Sequence, residues 1–230
     1  EKCDTFSATE CEKGFYQPDF RKAQCELCPA GFYCNEPGTS VPEECPQGNY
    51  CPEGTEDTGK SCPVGSTGSR PGLEKEGDCT PCAAGKYCNS TTDPLGDPCD
   101  PGYYCSGGSS IPNPCQVDDC STITDYQETR WDNSNLTDTV GGICVPGYYC
   151  EAGSARPRPC DPGSSCSKAG LSAPDGGCDP GYYCPTGSIN KTQNLCLQGH
   201  YCEADSAYPE PCPPGTYDKT ESVESTERTR

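Results

Sequence analysis

The sequence predicts an array of small disulfide-rich repeats, made of irregular turns and short β-hairpins with essentially no helix. Two observations predict this class. First, the motif C-x-x-G-x-Y-C recurs along the chain, as in CDPGYYC from Cys99 and CVPGYYC from Cys144. Second, the 230 residues include 24 Cys but only 4 Phe and 1 Trp, so a conventional apolar core is lacking. Cross-links that restrict the unfolded state therefore have to hold the fold.

The motif divides the chain into twelve units, each numbered here from its leading cysteine. Because a fixed period indicates units that pack mainly on their neighbours, we expect an elongated array. The leading cysteines are Cys11, Cys28, Cys45, Cys62, Cys82, Cys99, Cys115, Cys144, Cys160, Cys178, Cys196 and Cys212. The predicted division is a leader (1–10), units 1–6 (11–115), unit 7 with an insertion (115–143), units 8–11 (144–211), and an incomplete unit 12 with a tail (212–230).

Glycine and tyrosine hold fixed places inside the unit. Gly is the third residue after the leading cysteine in every unit except unit 7, where Asp118 stands. A glycine kept at one place in a repeat indicates a turn with positive φ or a close backbone approach. Tyr is the fifth residue in nine units. We interpret these rings as the core, laid against disulfides; the alternative is an exposed aromatic ladder that binds a ligand.

Two units differ from the others in their cysteines. In units 1 and 4 the second cysteine of the motif is replaced by Gln17 and Gly68, and another cysteine appears three residues before the next unit. This exchange favours the disulfides Cys11–Cys25 and Cys62–Cys79 over the strained C-x-x-C bridges Cys25–Cys28 and Cys79–Cys82. In two-cysteine units, spacing leaves two closures open, within the unit or to the next unit.

Composition also indicates the compartment. This density of disulfides requires an oxidising environment, so we expect an extracellular or cell-surface protein. The absence of Met indicates a removed signal peptide or a piece of a longer chain. The net charge of −19 argues against nucleic acid as a partner. The chain contains no run of 18 apolar residues, so no membrane span is predicted. Three sequons predict N-glycans, at Asn89, Asn135 and Asn190.

No residues suited to catalysis stand out. His200 is the only histidine, which leaves no partner for histidine-based metal sites or nucleophilic triads. The C-x-x-C pairs 25/28 and 79/82 are interpreted as unit junctions, and Asp118–Asp119 is too short for a calcium site. The sequence therefore predicts a protein that is not an enzyme and has neither a metal site nor a cofactor.

The units resemble a known family of modules. C-x-x-G-x-Y followed by a later cysteine, as in units 1 and 4, resembles the ephrin-receptor-like cysteine-rich repeat and the single-disulfide module of tumour necrosis factor receptors. The form with a cysteine after Tyr, CPAGFYC from Cys28, resembles long repeat proteins on protist surfaces. The resemblance covers residues 11–217 and implies short irregular β-structure in an elongated array, with no catalytic residues.

Two functions are compatible with such an array. We expect a structural glycoprotein, a subunit of a surface coat or filament assembled head-to-tail. Cys3 and Cys212, each without a partner in its own unit, are the candidates for a disulfide between subunits, with residues 212–230 docking on residues 1–10. The alternative is a receptor or adhesion ectodomain that binds a ligand through the insertion around Trp131.

Overall fold

The computed structural model describes residues 9–114 and 140–216, and within these ranges it contains ten two-stranded antiparallel hairpins. In each hairpin the first strand consists of the fourth and fifth residues after a leading cysteine. The second strand directly precedes the leading cysteine of the unit that packs next to it, and the units packed in this order are called here the stack. The pairs are β1 (Phe15–Tyr16) with β2 (Glu26–Leu27), β3 (Phe32–Tyr33) with β4 (Glu43–Glu44), β5 (Asn49–Tyr50) with β6 (Lys60–Ser61), β7 (Ser66–Thr67) with β8 (Thr80–Pro81), β9 (Lys86–Tyr87) with β10 (Asp97–Pro98), β11 (Tyr103–Tyr104) with β12 (Gly142–Ile143), β13 (Tyr148–Tyr149) with β14 (Arg158–Pro159), β15 (Ser164–Ser165) with β16 (Gly176–Gly177), β17 (Tyr182–Tyr183) with β18 (Asn194–Leu195), and β19 (His200–Tyr201) with β20 (Glu210–Pro211). One 3-10 turn, Glu76–Asp78, is the only helical element in the described ranges. The predicted fold class is confirmed.

The glycine of the motif, called here the turn glycine, forms the bend that leads into each hairpin. Its φ lies between 77° (Gly199) and 87° (Gly102), a region that costs a residue with a Cβ about 1–2 kcal/mol. The residue after the glycine closes the bend, as where the N–H of Phe15 donates to the Glu12 carbonyl at 3.1 Å. The positive φ predicted from the fixed glycine is confirmed.

Ten disulfides connect cysteines within the described ranges. In eight units the bond joins the leading cysteine to the sixth residue after it and so encircles the turn glycine. Of the two closures left open by spacing, the structure shows the one within the unit. Units 1 and 4 carry longer loops, with Cys11 joined to Cys25 and Cys62 joined to Cys79.

Backbone hydrogen bonds join each unit to the next in one repeated pattern. At most junctions the turn glycine of the first unit donates to the carbonyl of the sixth residue in the next unit. The sixth residue of the first unit donates to a later loop of that next unit. The leading-cysteine carbonyl accepts from the same loop. At the junction of units 2 and 3 these bonds run from Gly31 to Cys51 (2.8 Å), from Cys34 to Thr55 (3.0 Å) and from Gly54 to Cys28 (2.7 Å).

In the described stack, unit 6 contacts unit 8 directly. Gly102 donates to the carbonyl of Cys150 at 2.8 Å, Cys144 donates to Gly102 at 2.9 Å, and Tyr103 pairs with Ile143. Cys144 thus occupies the position that a next leading cysteine has elsewhere. Residues 115–139 lie outside the described ranges, so the predicted division at unit 7 remains a prediction.

The core is made mainly of half-cystines. Most leading and sixth-residue cysteines are buried, Cys196 and Cys212 being half-buried, and Leu73 is the largest fully buried side chain among the described residues. Tyr104 is 5% exposed and packs on the Cys144–Cys150 disulfide of the next unit in the stack, while Tyr149 packs likewise on Cys160 and Cys166. For these two tyrosines the predicted core role is confirmed, and the disulfide contacted belongs to the neighbouring unit.

Candidate functional site: the interface between units

The loop nine to ten residues after each leading cysteine, called here the distal loop, forms half of the interface between units. A glycine with positive φ stands there in most units, followed by Ser, Thr or Leu, as in Gly54–Thr55 and Gly153–Ser154. The hydroxyl of this Ser or Thr closes the loop; that of Thr55 donates to the Pro52 carbonyl at 2.5 Å. The sequence analysis missed this second motif, which alignment of the units on their leading cysteines would have shown.

In most units the turn glycine also leaves no space for a Cβ, because the distal loop from two units further on lies against it. A Cβ built on Gly14 would lie 2.7 Å from the Gly54 carbonyl oxygen, and one on Gly147 would lie 2.8 Å from that of Gly187. Real Cβ atoms do not approach a backbone atom so closely. Units 1–6, 8 and 9 therefore each contact the next two units in the stack, whereas no described residue lies against the turn glycines of units 10–12.

Hydrogen bonds between tyrosine and carboxylate cross the hairpins. Tyr33 donates to Glu43, and Tyr201 donates to Glu210 at 2.6 Å. The hydrogen bond to Glu43 raises the pKa of Tyr33, and the bond to Glu210 raises that of Tyr201. Burial alone raises the pKa of Tyr104. The Tyr33 and Tyr201 hydroxyls are therefore donors that link the two strands of their hairpins.

One junction adds a cation to this arrangement. Tyr149 donates to Asp161 at 3.1 Å, and the Arg158 guanidinium lies 5.2 Å from the Tyr149 ring centroid and 3.0 Å from the same carboxylate. Burial, followed by the hydrogen bond to Asp161, raises the pKa of Tyr149. Arginine, tyrosine and carboxylate thus form a compact group where units 8 and 9 meet.

The predicted site residues lie in different parts of the chain. Asn89 and Asn190 are both exposed, and the Asn190 side-chain oxygen accepts from the N–H and the hydroxyl of Thr192, each at 3.0 Å. Cys212 is half-buried and forms no disulfide. Asn135, Cys3, Trp131 and the segments 1–8 and 217–230 lie outside the described ranges, so the predicted docking of residues 212–230 on residues 1–10 remains a prediction.

Within residues 9–114 and 140–216, no group of three or more His, Cys, Asp or Glu side chains is arranged to hold a metal ion. The His200 ring lies 3.3 Å from the carbonyl of Gln198. No helix in the same ranges is both long enough and apolar enough to cross a bilayer.

A disulfide-rich repeat ectodomain is the class that this fold and interface define, suited to an oxidising, extracellular or cell-surface environment. Residues 5–45 match the family model described as tyrosine-protein kinase ephrin type A/B receptor-like. The match covers unit 1, with its Cys11–Cys25 loop, and unit 2 up to Cys45. The predicted resemblance to this cysteine-rich module, whose family is typically non-enzymatic, is confirmed for that segment. No curated protein matches the chain.

Proposed function

We propose that the chain is a non-enzymatic structural glycoprotein, a subunit of an extracellular coat or filament that assembles head-to-tail. The observation that carries this proposal is the interface itself. The same backbone hydrogen bonds recur between successive stacked units, from Gly14 donating to Cys34 at one end to Gly181 donating to Cys202 at the other. An interface that already repeats within one chain needs no new chemistry to repeat between chains, and such heterologous contacts form open filaments.

Electron microscopy of purified material tests the assembly. We expect fibres or ordered layers whose subunit repeat matches the length of one chain, and isolated particles at every concentration would contradict the proposal. Electrophoresis without reductant tests the covalent version, in which Cys212 is joined to Cys3 of a neighbour. A ladder of multiples should collapse on reduction and disappear in the variant Cys212→Ser, whereas a ladder that persists in that variant would contradict this linkage.

The glycoprotein part of the proposal is supported by the exposure of Asn89 and Asn190. Asn89 follows the half-cystine Cys88 directly, and Asn190 lies in a surface turn closed by Thr192. Because both residues are exposed, a glycan there is compatible with the packing of the buried cysteines. Mass spectrometry of material from the native source should find sugar on at least two of Asn89, Asn135 and Asn190, and three bare asparagines would contradict it.

A second candidate function is a ligand-binding or adhesion ectodomain. The family match over residues 5–45 favours it, because the matched model describes a receptor-like region. The two functions differ in what the isolated chain does. A coat or filament subunit should self-associate without other proteins, whereas a ligand-binding ectodomain should remain monomeric until a partner is added.

A further inference from the structure

The twelfth residue after each leading cysteine, called here the outer position, is exposed in every unit for which the structure describes it. It follows the distal loop and precedes the second strand of the hairpin. Units in the middle of the stack expose it as fully as units at either end, so the contacts between units leave this position open to solvent. The residues there are Ala23, Ser40, Asp57, Glu74, Pro94, Ile111, Arg156, Ser172, Asn190 and Tyr208.

In unit 10 the outer position holds a residue suited to enzymatic modification. Asn190 stands there, as the first residue of a sequon. An enzyme that modifies a folded protein has to reach the side chain from solvent, and the outer position offers that access. One unit further on, Tyr208 stands at the same position and presents a phenol hydroxyl in place of an amide.

Tyr208 differs from the other described tyrosines in its exposure and its partners. It is 63% exposed, and the next most exposed tyrosines in the described part of the chain are Tyr148 at 40% and Tyr201 at 38%. The Tyr201 hydroxyl donates to Glu210 at 2.6 Å. The Tyr208 hydroxyl forms no hydrogen bond with any described residue. Of the described tyrosines, Tyr208 is therefore the one whose oxygen is most accessible to an enzyme.

The surroundings of Tyr208 are strongly acidic. It borders a cleft of about 380 Å³ together with three exposed carboxylates. Residues 192–218 contain no Lys or Arg, so no basic side chain of this stretch neutralises them. An enzyme that approaches Tyr208 consequently meets a negative surface, which favours an enzyme with a basic active-site rim. The three carboxylates belong to Glu203, Asp205 and Glu210.

We propose that Tyr208 is a site of tyrosine O-sulfation. The donor is an activated sulfate, in which sulfate is joined through an anhydride bond to the phosphate of an adenine nucleotide. The Tyr208 oxygen forms a bond to sulfur while the bond between sulfur and the phosphate oxygen breaks. The phenol proton passes to a base of the transferase, and the nucleotide leaves with its phosphate.

The chemistry of the donor explains why carboxylates beside Tyr208 matter. A transferase that binds so anionic a nucleotide holds it with basic side chains, and these also attract an acidic substrate. The disulfides place the chain in the secretory route, away from the kinases of the cytosol, so sulfate rather than phosphate is the group assigned. This modification requires only that route and is independent of head-to-tail assembly.

Mass spectrometry of the secreted chain tests the proposal. The chain is expressed in animal cells that also secrete a protein known to carry tyrosine sulfate. Electron-transfer fragmentation should place the added mass of one SO₃ group on Tyr208. Tyr208→Phe, which removes only an exposed hydroxyl, should lose this mass completely. Tyr201→Phe is the matched control, because it removes a tyrosine hydroxyl from the same cleft, and it should keep the sulfate on Tyr208.

A charge variant tests the role of the carboxylates. Glu203→Gln combined with Asp205→Asn keeps the size of both side chains and should lower the sulfated fraction of Tyr208 severalfold, with an unchanged far-ultraviolet circular dichroism spectrum. An unchanged sulfated fraction would overturn the role of the carboxylates. A bare Tyr208 in cells that sulfate the reference protein, or the exact mass of HPO₃ in place of SO₃, would overturn the proposal. Neither result bears on whether the chain self-associates.

Discussion

The turns at Gly102 and Gly199 are built from nearly the same motif and differ in their surroundings. Their φ angles, 87° and 77°, place both in the left-handed region. A Cβ at Gly102 would collide with the backbone of Gly170, whereas a Cβ at Gly199 would project into open space. The comparison teaches that the motif makes the turn and that the neighbouring units decide whether the turn is buried.

This difference has an energetic consequence along the array. The unit of Gly102 exchanges backbone hydrogen bonds with both neighbours and packs against the unit two places further on, whereas no described residue lies against Gly199. In a repeat protein, stability is roughly a sum of unit terms and interface terms. We therefore expect the turn at Gly102 to open less often than the turn at Gly199.

Reduction should have the largest effect, because it breaks the disulfides that close both the covered turns and the open turns. A loop as short as the six-residue closures contributes about 2 kcal/mol by restricting the unfolded chain, so ten disulfides contribute about 20 kcal/mol. That exceeds the net stability of about 5–15 kcal/mol typical of domains. We predict that reduction and alkylation unfold the whole chain, measured by near-ultraviolet circular dichroism and by hydrogen exchange.

Two amides report the two regions in that experiment. The N–H of Cys144 donates to Gly102, and the N–H of Cys212 donates to Gly199 at 3.0 Å. Both should lose their protection from exchange when the disulfides are reduced. Protection that survives at Cys144 would show that stacking alone holds the covered turns.

Alanine substitution of the two glycines measures how much the distal loop packed against Gly102 contributes to stability. Gly102→Ala and Gly199→Ala share the cost of a Cβ at positive φ, about 1 kcal/mol. Only Gly102→Ala also forces a methyl group into the Gly170 backbone, which adds about 2 kcal/mol of overpacking. We expect the Gly102 variant to lose clearly more thermal stability than the Gly199 variant. Equal losses would mean that the contact between every second unit contributes nothing.

Two distal loops allow opposite substitutions at the same position of the unit. Asp205 stands where Gly187 stands one unit earlier, and it adopts a φ of 63° although it carries a Cβ. Asp205→Gly should raise the free energy of unfolding by up to about 1 kcal/mol, and Gly187→Asp should lower it by a similar amount. Urea titration of the two variants checks the opposite signs. A loss of stability in Asp205→Gly would show that the Asp205 side chain contributes to the fold.

Alkaline pH should give the smallest effect, and it distinguishes the middle of the array from its end. Burial raises the pKa of Tyr104 above 10.0, so the unfolded chain releases this proton at a lower pH than the folded chain does. Stability from this group is complete below pH 10.0 and falls as the pH rises through the folded pKa. Tyr104→Phe should reduce that loss, measured by thermal melts across the alkaline range. Tyr201→Phe, at an exposed ring, is the control and should change the profile less.

Much of one unit could be predicted from its own residues. A glycine at a constant place between two cysteines leaves little choice but a turn with positive φ, and cysteine parity indicated Cys11–Cys25 in unit 1. The pairing of Cys99 with Cys105 could not be derived, because two closures satisfy the same spacing. The direct contact between units 6 and 8 was not predicted, since a step of 29 residues does not reveal which leading cysteine lies next in the stack.

By itself, the sequence determined the local and the compositional features of this protein: the turn at each fixed glycine, the dependence on disulfides, the oxidising compartment, and the absence of α-helix in the described units. Only the tertiary structure decided which units touch, that Cys144 follows Cys99 in the stack, and that Tyr104 packs on the next disulfide rather than its own. The physical reason is that turn geometry depends on a few adjacent residues. Contacts between units depend on backbone groups brought together from distant positions, and the same motif in every unit cannot distinguish one neighbour from another.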